Sequence, residues 1–249
     1  MSTPAPVRPA REAPPPRPVP TLAETPSRRP RRRPSPAVWL TAIFAVAAAY
    51  HAIQGTMHVT PAVFTDELLH GGLARSFADG TPFEIRDATA FFPAFLPALA
   101  GAPAWLIGDM GTAYALAKVL NALVMSAACL PAYWLARQVV RPSYALLAAA
   151  AAVATPGMLY SAYLLSEPLA YPVFLLAVAV YVHALTRPSP RWWMAAGAVS
   201  LLAVGTRMQF VALPVVLGLV LALRRRRGAR TRGGRPGARA STPGGTRRS

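Results

Sequence analysis

Residues 37–55, AVWLTAIFAVAAAYHAIQG, form a largely apolar stretch that contains no acidic or basic side chain other than one histidine. About 20 helical residues cross the roughly 30 Å apolar core of a bilayer, so this stretch predicts a transmembrane helix. Similar stretches follow at residues 113–136, 144–154, 167–185 and 192–223. The last is too long for one span, and the polar segment Gly205-Thr206-Arg207-Met208-Gln209 lies in its middle. We expect a break at Arg207, because an arginine at the bilayer centre is costly, and therefore about six transmembrane helices.

The composition of the chain supports a membrane protein. Hydrophobic residues make up 54% of the 249 positions and charged residues only 14%, which leaves too little polar surface for a soluble globule. We therefore predict an all-α fold, a polytopic membrane helix bundle, for the domain at residues 37–223.

The positive charge of the chain lies mostly at its two ends. The net charge is +17, and most of the arginines precede the first apolar stretch or follow the last one. Residues 1–36 are rich in proline and arginine, and residues 224–249 in arginine and glycine, so neither segment can bury enough apolar area to fold. We predict two disordered tails that contact membrane lipids, and no nucleic-acid binding, because no aromatic residues alternate with the arginines.

The orientation of the bundle depends on residues 91–107, which are apolar but contain Pro93, Pro97 and Pro103. If this segment does not cross the bilayer, the arginines between the later helices fall on the same side as the amino-terminal tail. This arrangement follows the positive-inside rule, so we predict an interfacial or re-entrant segment. Both tails are then cytoplasmic at the cell (plasma) membrane, and residues 57–111 form an external loop with interfacial helices.

The predicted external loop carries most of the acidic residues of the chain. Six of the nine lie there: Asp66, Glu67, Asp79, Glu84, Asp87 and Asp109. The same topology places Glu167 near the external face, together with Arg207. We expect these acids and Arg207 to converge on one side of the membrane.

The segment that begins at Thr65 has the pattern of an amphipathic helix, with Thr65 as N-cap and Gly80 as its stop. We expect one face of this helix to lie on the membrane: Leu69, Leu73, Ser76 and Phe77. Asp66 and Glu67 lie in its first turn, where the helix dipole favours carboxylates. Two interpretations stay open, a structural role at the helix start, or a general base or divalent-cation ligand beside the bilayer.

Few other residues are candidates for chemistry. Cys129 lies in an apolar stretch, so we expect a packing role and neither a disulfide nor a cysteine metal site. His58 and His70 match no zinc spacing, and a histidine beside a membrane is more often an interfacial polar residue than a ligand.

The order of several motifs resembles that of the GT-C glycosyltransferases, which include protein mannosyltransferases and the aminoarabinose transferases of lipid A. The matching features after the first helix are Asp66-Glu67, Leu73-Ala74-Arg75, Gly80, the Phe92-Pro93 step and a long external loop. The segment from Leu164 to Leu169, LLSEPL, is similar to the second acidic site of that superfamily, and Gly205-Thr206-Arg207 to its arginine-bearing turn. The resemblance covers about residues 38–223, and family members continue into further helices, so we expect an amino-terminal portion.

The resemblance implies inverting transfer of a sugar from a polyprenyl-phosphate donor to an acceptor on the non-cytoplasmic side. It implies that Asp66 is the base that deprotonates the acceptor, and that Glu67 orients Asp66 or helps it hold a divalent cation, Mg or Mn. It also implies that Glu167, Arg207 and Arg75 bind the substrate, with Arg207 at the donor phosphate.

Other interpretations of the same residues remain. Glu167 next to Pro168 is also typical of a helix start, and Arg207 is also placed to reach lipid headgroups from a helix end. The alternative function is a non-catalytic polytopic membrane scaffold or partner subunit. A transporter ranks third, because the sequence shows no internal repeat.

Overall fold

The computed structural model describes residues 34–57, 65–86, 88–89 and 91–233, with side chains described as far as Arg224. Most of the predicted tail at residues 1–36, and the other tail from residue 234 onward, lie outside this part, as do His58 and Asp87. Nine α-helices and one short β-hairpin occur within the described ranges, so the all-α prediction is confirmed.

The helices follow one another with short connections. They are α1 (Pro36–Met57), α2 (Thr65–Ala78), α3 (Leu96–Gly101), α4 (Met110–Ser126), α5 (Cys129–Ala136), α6 (Pro142–Val153), α7 (Glu167–Thr186), α8 (Pro190–Thr206) and α9 (Ala212–Gly233). Three 3-10 segments join them, at Ala102–Leu106, Pro156–Ala162 and Met208–Val211. The antiparallel strands β1 (Glu84–Ile85) and β2 (Ala88–Thr89) form the hairpin between α2 and α3.

The number of candidate membrane spans is three or four, so the prediction of six is wrong. Three are unbent: α1, the continuous Met110–Ala136 formed by α4 and α5, and α7. The fourth is α6 with Pro156–Ala162, which are bent by 53°. Helix α8 has 17 residues, about 26 Å at 1.5 Å per residue, and the apolar segment Met208–Arg224 is also short. The chain is a multi-pass membrane protein with fewer full-length spans than its apolar stretches predict.

The bend after α6 leaves backbone carbonyl groups that the helix itself does not satisfy. Pro156 lacks an N–H and cannot continue the helical hydrogen bonds. His51 Nε2, on α1, donates to the carbonyl oxygen of Val153 at 3.3 Å. The hydroxyl of Tyr171, on α7, donates to that of Ala152 at 2.9 Å. Neighbouring helices thus supply the donors that an irregular segment requires in an apolar environment.

The two ends of the bundle carry opposite charge. The end of α1, α2, α3 and the starts of α4 and α7 lie together, and all described acids are there: Asp66, Glu67, Asp79, Glu84, Asp109 and Glu167. We call this the acidic end. At the other end, the arginine end, are Arg137, Arg141, Arg187, Arg191 and Arg224, and Arg224 donates to the carbonyl oxygen of Leu185 at 2.9 Å.

Two sequence predictions about breaks agree with the structure. Helix α8 ends at Thr206, and Arg207 has an extended backbone (φ −152°, ψ 127°). Helix α2 starts at Thr65, and Gly80 behind it has a positive φ of 77°, which glycine adopts without strain. Residues 91–107 hold only α3 and a 3-10 segment, too short to cross a bilayer.

Two other expectations differ from the structure. The predicted membrane face of α2 is instead part of the core, because Leu73 and Ser76 are buried and Leu73 packs with Ala98 of α3. Helix α9 also continues to Gly233, beyond the predicted end of the domain at residue 223.

Candidate functional site

An ion pair joins the start of α7 to the end of α8. Arg207 Nη1 lies 3.0 Å from Glu167 Oε1, and the two side chains are 36% and 25% exposed. Glu167 is the first residue of α7, and Arg207 follows the last turn of α8, so the hairpin of these two helices brings them together. Because the pair is partly solvated, it contributes little to stability and is accessible to a ligand.

The ion pair lies at the edge of an open cleft of about 320 Å³. Its walls are mainly apolar and aromatic: Met125, Thr155, Gly157, Tyr160, Ala170, Tyr171, Phe174 and Phe210. The rings of Phe174 and Phe210 stack with centroids 5.6 Å apart. A cleft with apolar walls and one charged pair suits a molecule with an anionic head and an apolar chain.

His70 lies beside the same charges. Its side chain is buried, and its ring packs edge-on against Phe92 with centroids 5.6 Å apart. Burial lowers the pKa of His70, Asp66 and Glu167 oppose this effect, and Arg207 adds to it. These four groups, from α2, α7 and the end of α8, therefore share one electrostatic environment. The position of His70 differs from the interfacial one that the sequence led us to expect.

Asp66 and Glu67 are neighbours in sequence but not in environment. Asp66 is exposed on the first turn of α2. Glu67 is buried, and its Oε1 accepts hydrogen bonds from the hydroxyl of Tyr114 at 2.5 Å and from the backbone N–H of Leu164 at 3.2 Å. The other oxygen, Oε2, is buried with no hydrogen-bond partner in the described part of the chain.

Arg75 lies on an exposed part of α2. Its Nε is 3.4 Å from Asp79 Oδ2, four residues further along the helix, and both side chains are more than half exposed. Among the described residues no ion pair joins Arg75 to Glu167, so the structure gives the substrate-binding role predicted for Arg75 no geometric support.

A metal site is not formed by the residues that the structure describes. Within these ranges, no three His, Cys, Asp or Glu side chains are grouped so that they could hold an ion. Glu67 is also occupied by Tyr114 and Leu164. The Mg or Mn ion at Asp66 and Glu67 therefore stays a prediction. Cys129 is buried and free, in agreement with a packing role.

Sequence reasoning missed Lys118 and Tyr114 of α4. Lys118 is 1% exposed, its Nζ donates to the carbonyl oxygen of Gly55 at 3.3 Å, and it lies 4.1 Å from the centre of the Tyr114 ring. The available signal was a single basic residue inside an otherwise apolar span, since such residues are costly and often functional.

Comparison of the chain with protein-family models, with curated proteins and with solved structures found no match.

Proposed function

We propose that this protein is a membrane glycosyltransferase, or the amino-terminal part of one, that transfers a sugar from a polyprenyl-phosphate donor to an acceptor on the non-cytoplasmic face. The observation that carries the proposal is the Glu167–Arg207 pair at the edge of an apolar cleft, at the acidic end of a membrane bundle.

Arg207 binds the donor phosphate in this proposal. A guanidinium forms charge-assisted hydrogen bonds with phosphate oxygens, and Arg207 is exposed enough to exchange Glu167 for such a ligand. The aromatic walls of the cleft accommodate the first isoprene units of the carrier. Glu167 then faces the sugar and accepts hydrogen bonds from its hydroxyl groups.

Asp66 is the general base. It takes the proton of the acceptor hydroxyl, whose oxygen attacks the anomeric carbon from the side opposite to the phosphate. The bond between that carbon and the phosphate oxygen breaks, and polyprenyl phosphate leaves with the bonding electrons. One displacement of this kind inverts the anomeric configuration. No step is assigned to a cation.

The proposed location is the plasma membrane, with both tails cytoplasmic. The five described arginines of the arginine end support this orientation, because basic residues at helix ends favour the cytoplasmic side. The acidic end and its cleft then face outward, where a lipid-linked sugar is accessible to an external acceptor.

Sugar transfer in membranes tests the proposal. Membranes that carry the wild type, Asp66→Asn or Glu84→Gln at equal expression are supplied with a pool of polyprenyl-phosphate sugars. Glu84 is an exposed acid of the same loop, on β1, and serves as the matched control. We expect Asp66→Asn to lower transfer by about 100-fold or more, as for loss of a general base, and Glu84→Gln to leave it unchanged.

Equal transfer by Asp66→Asn and the wild type would refute the role of Asp66. Absence of transfer by the wild type from every donor in the pool would favour the non-catalytic scaffold instead.

A further inference from the structure

Three side chains outside the cleft form a buried polar cluster between α2 and α4. Glu67, Tyr114 and Lys118 are 2% exposed, half-buried and 1% exposed, respectively. The Tyr114 hydroxyl donates to Glu67 Oε1 at 2.5 Å, and the Lys118 ammonium lies over the Tyr114 ring at 4.1 Å. We call these three residues the buried triad.

The two charges of the buried triad require each other. An ammonium or a carboxylate buried alone costs several kcal/mol, and removal of one partner from a buried pair leaves the other uncompensated. Glu67 acts electrostatically on Lys118, and the negative face of the Tyr114 ring lies between them in sequence and contacts both residues. The arrangement thus holds a charged residue inside a membrane span without net charge.

The buried triad also joins four segments of the chain. Glu67 belongs to α2, and Tyr114 and Lys118 belong to α4. Lys118 Nζ donates to the carbonyl oxygen of Gly55 on α1, and Glu67 accepts from the backbone N–H of Leu164, just before α7. The backbones come close here, since a Cβ added at Gly55 would lie 3.5 Å from Lys118 Cβ.

We propose that Glu67, Tyr114 and Lys118 are positioning residues, a charge-compensated cluster that fixes α2 to the bundle and so holds Asp66 and His70 at the cleft. Glu67 acts through Asp66, its neighbour on α2, and not on the substrate. The fixing of α2 stands independently, whereas its effect on catalysis rests on the function proposed above.

A stability cycle tests the cluster without any need for sugar transfer. The apparent melting temperature of the purified protein is measured for the wild type, Lys118→Met, Glu67→Gln and the double variant. We expect Lys118→Met to lower it by about 10 °C, because the carboxylate is left buried alone. The double variant, which buries no charge, recovers a large part of that loss.

If Lys118→Met cannot be recovered from membranes but the double variant can, the same conclusion follows. Additive losses, or a double variant that is no more stable and no better recovered than Lys118→Met, would overturn the proposal.

Tyr114→Phe tests positioning with a smaller change, the removal of one hydroxyl group. We expect a lower kcat for sugar transfer with an unchanged KM for the donor, because the donor site at Arg207 is not altered. Tyr144→Phe, on the exposed side of α6, is the matched control and keeps the wild-type kcat. An unchanged kcat for Tyr114→Phe would exclude positioning, whereas a wild type with no transfer would refute the proposed function and leave the stability cycle to decide on the cluster.

Discussion

Asp66 and Glu67 show how far residue-level prediction extends. Both are acids in the first turn of one helix, and the sequence treats them alike. Successive residues of an α-helix point about 100° apart, so one side chain faces solvent while the next contacts α4. Which of the two is buried depends on where α4 packs, and no local pattern in the sequence contains that information.

His70 provides a pH-dependent prediction. Burial lowers its pKa against the opposing effects of Asp66 on α2 and Glu167 on α7, with Arg207 adding to the decrease. Below the ordinary pKa of 6.5, the unfolded chain therefore binds a proton that the folded protein binds less readily. Stability falls as the pH decreases below that value. We expect His70→Gln to lose less thermal stability than the wild type between pH 7.5 and pH 5.

The comparison is made by thermal unfolding of both proteins in the same detergent. Equal losses for wild type and His70→Gln would mean that His70 does not carry this pH dependence.

At the level of elements, the helix starts and breaks were largely predictable. The polar segment around Arg207 and the glycine after α2 mark breaks that the structure contains. The bend of α6 was not predicted, because residues 144–154 alone look like one short span. Pro156 permits the bend, but the donors that stabilise it, His51 and Tyr171, come from distant parts of the chain.

Tyr171→Phe tests how the bend after α6 is stabilised. The variant removes the hydroxyl that donates to the carbonyl oxygen of Ala152. We expect it to lower the free energy of unfolding by about 1 kcal/mol, the usual net value of one hydrogen bond. Tyr144→Phe, whose ring is exposed on α6, should change it much less. Chemical unfolding in detergent measures both, and equal effects would contradict a role for this hydrogen bond.

At the scale of the whole molecule, charge was a better guide than apolar length. The positive-inside rule correctly grouped the described arginines at one end and the acids at the other. Apolar length overestimated the number of spans, because hydropathy does not show where a helix ends. The 17-residue α8 illustrates this, since its apolar stretch continues past Thr206 while the helix stops there.

Cysteine labelling of intact cells tests the orientation. Cys129, the single cysteine of the chain, is buried and should not react in the folded protein. Thr81→Cys adds an exposed thiol at the acidic end, and Pro188→Cys adds one at the arginine end. We expect a membrane-impermeant maleimide to label Thr81→Cys directly and Pro188→Cys only after permeabilisation. The reverse pattern would place the cleft in the cytoplasm.

Binding of undecaprenyl phosphate to the purified protein is the most direct measurement of what the cleft does. We expect the wild type to bind it and Arg207→Gln to bind it about tenfold or more weakly, as for loss of a charge-assisted hydrogen bond. Arg187→Gln, at the arginine end, should bind it like the wild type. No binding by the wild type, or equal binding by Arg207→Gln, would show that the cleft beside Glu167 and Arg207 is not a site for a polyprenyl-phosphate donor.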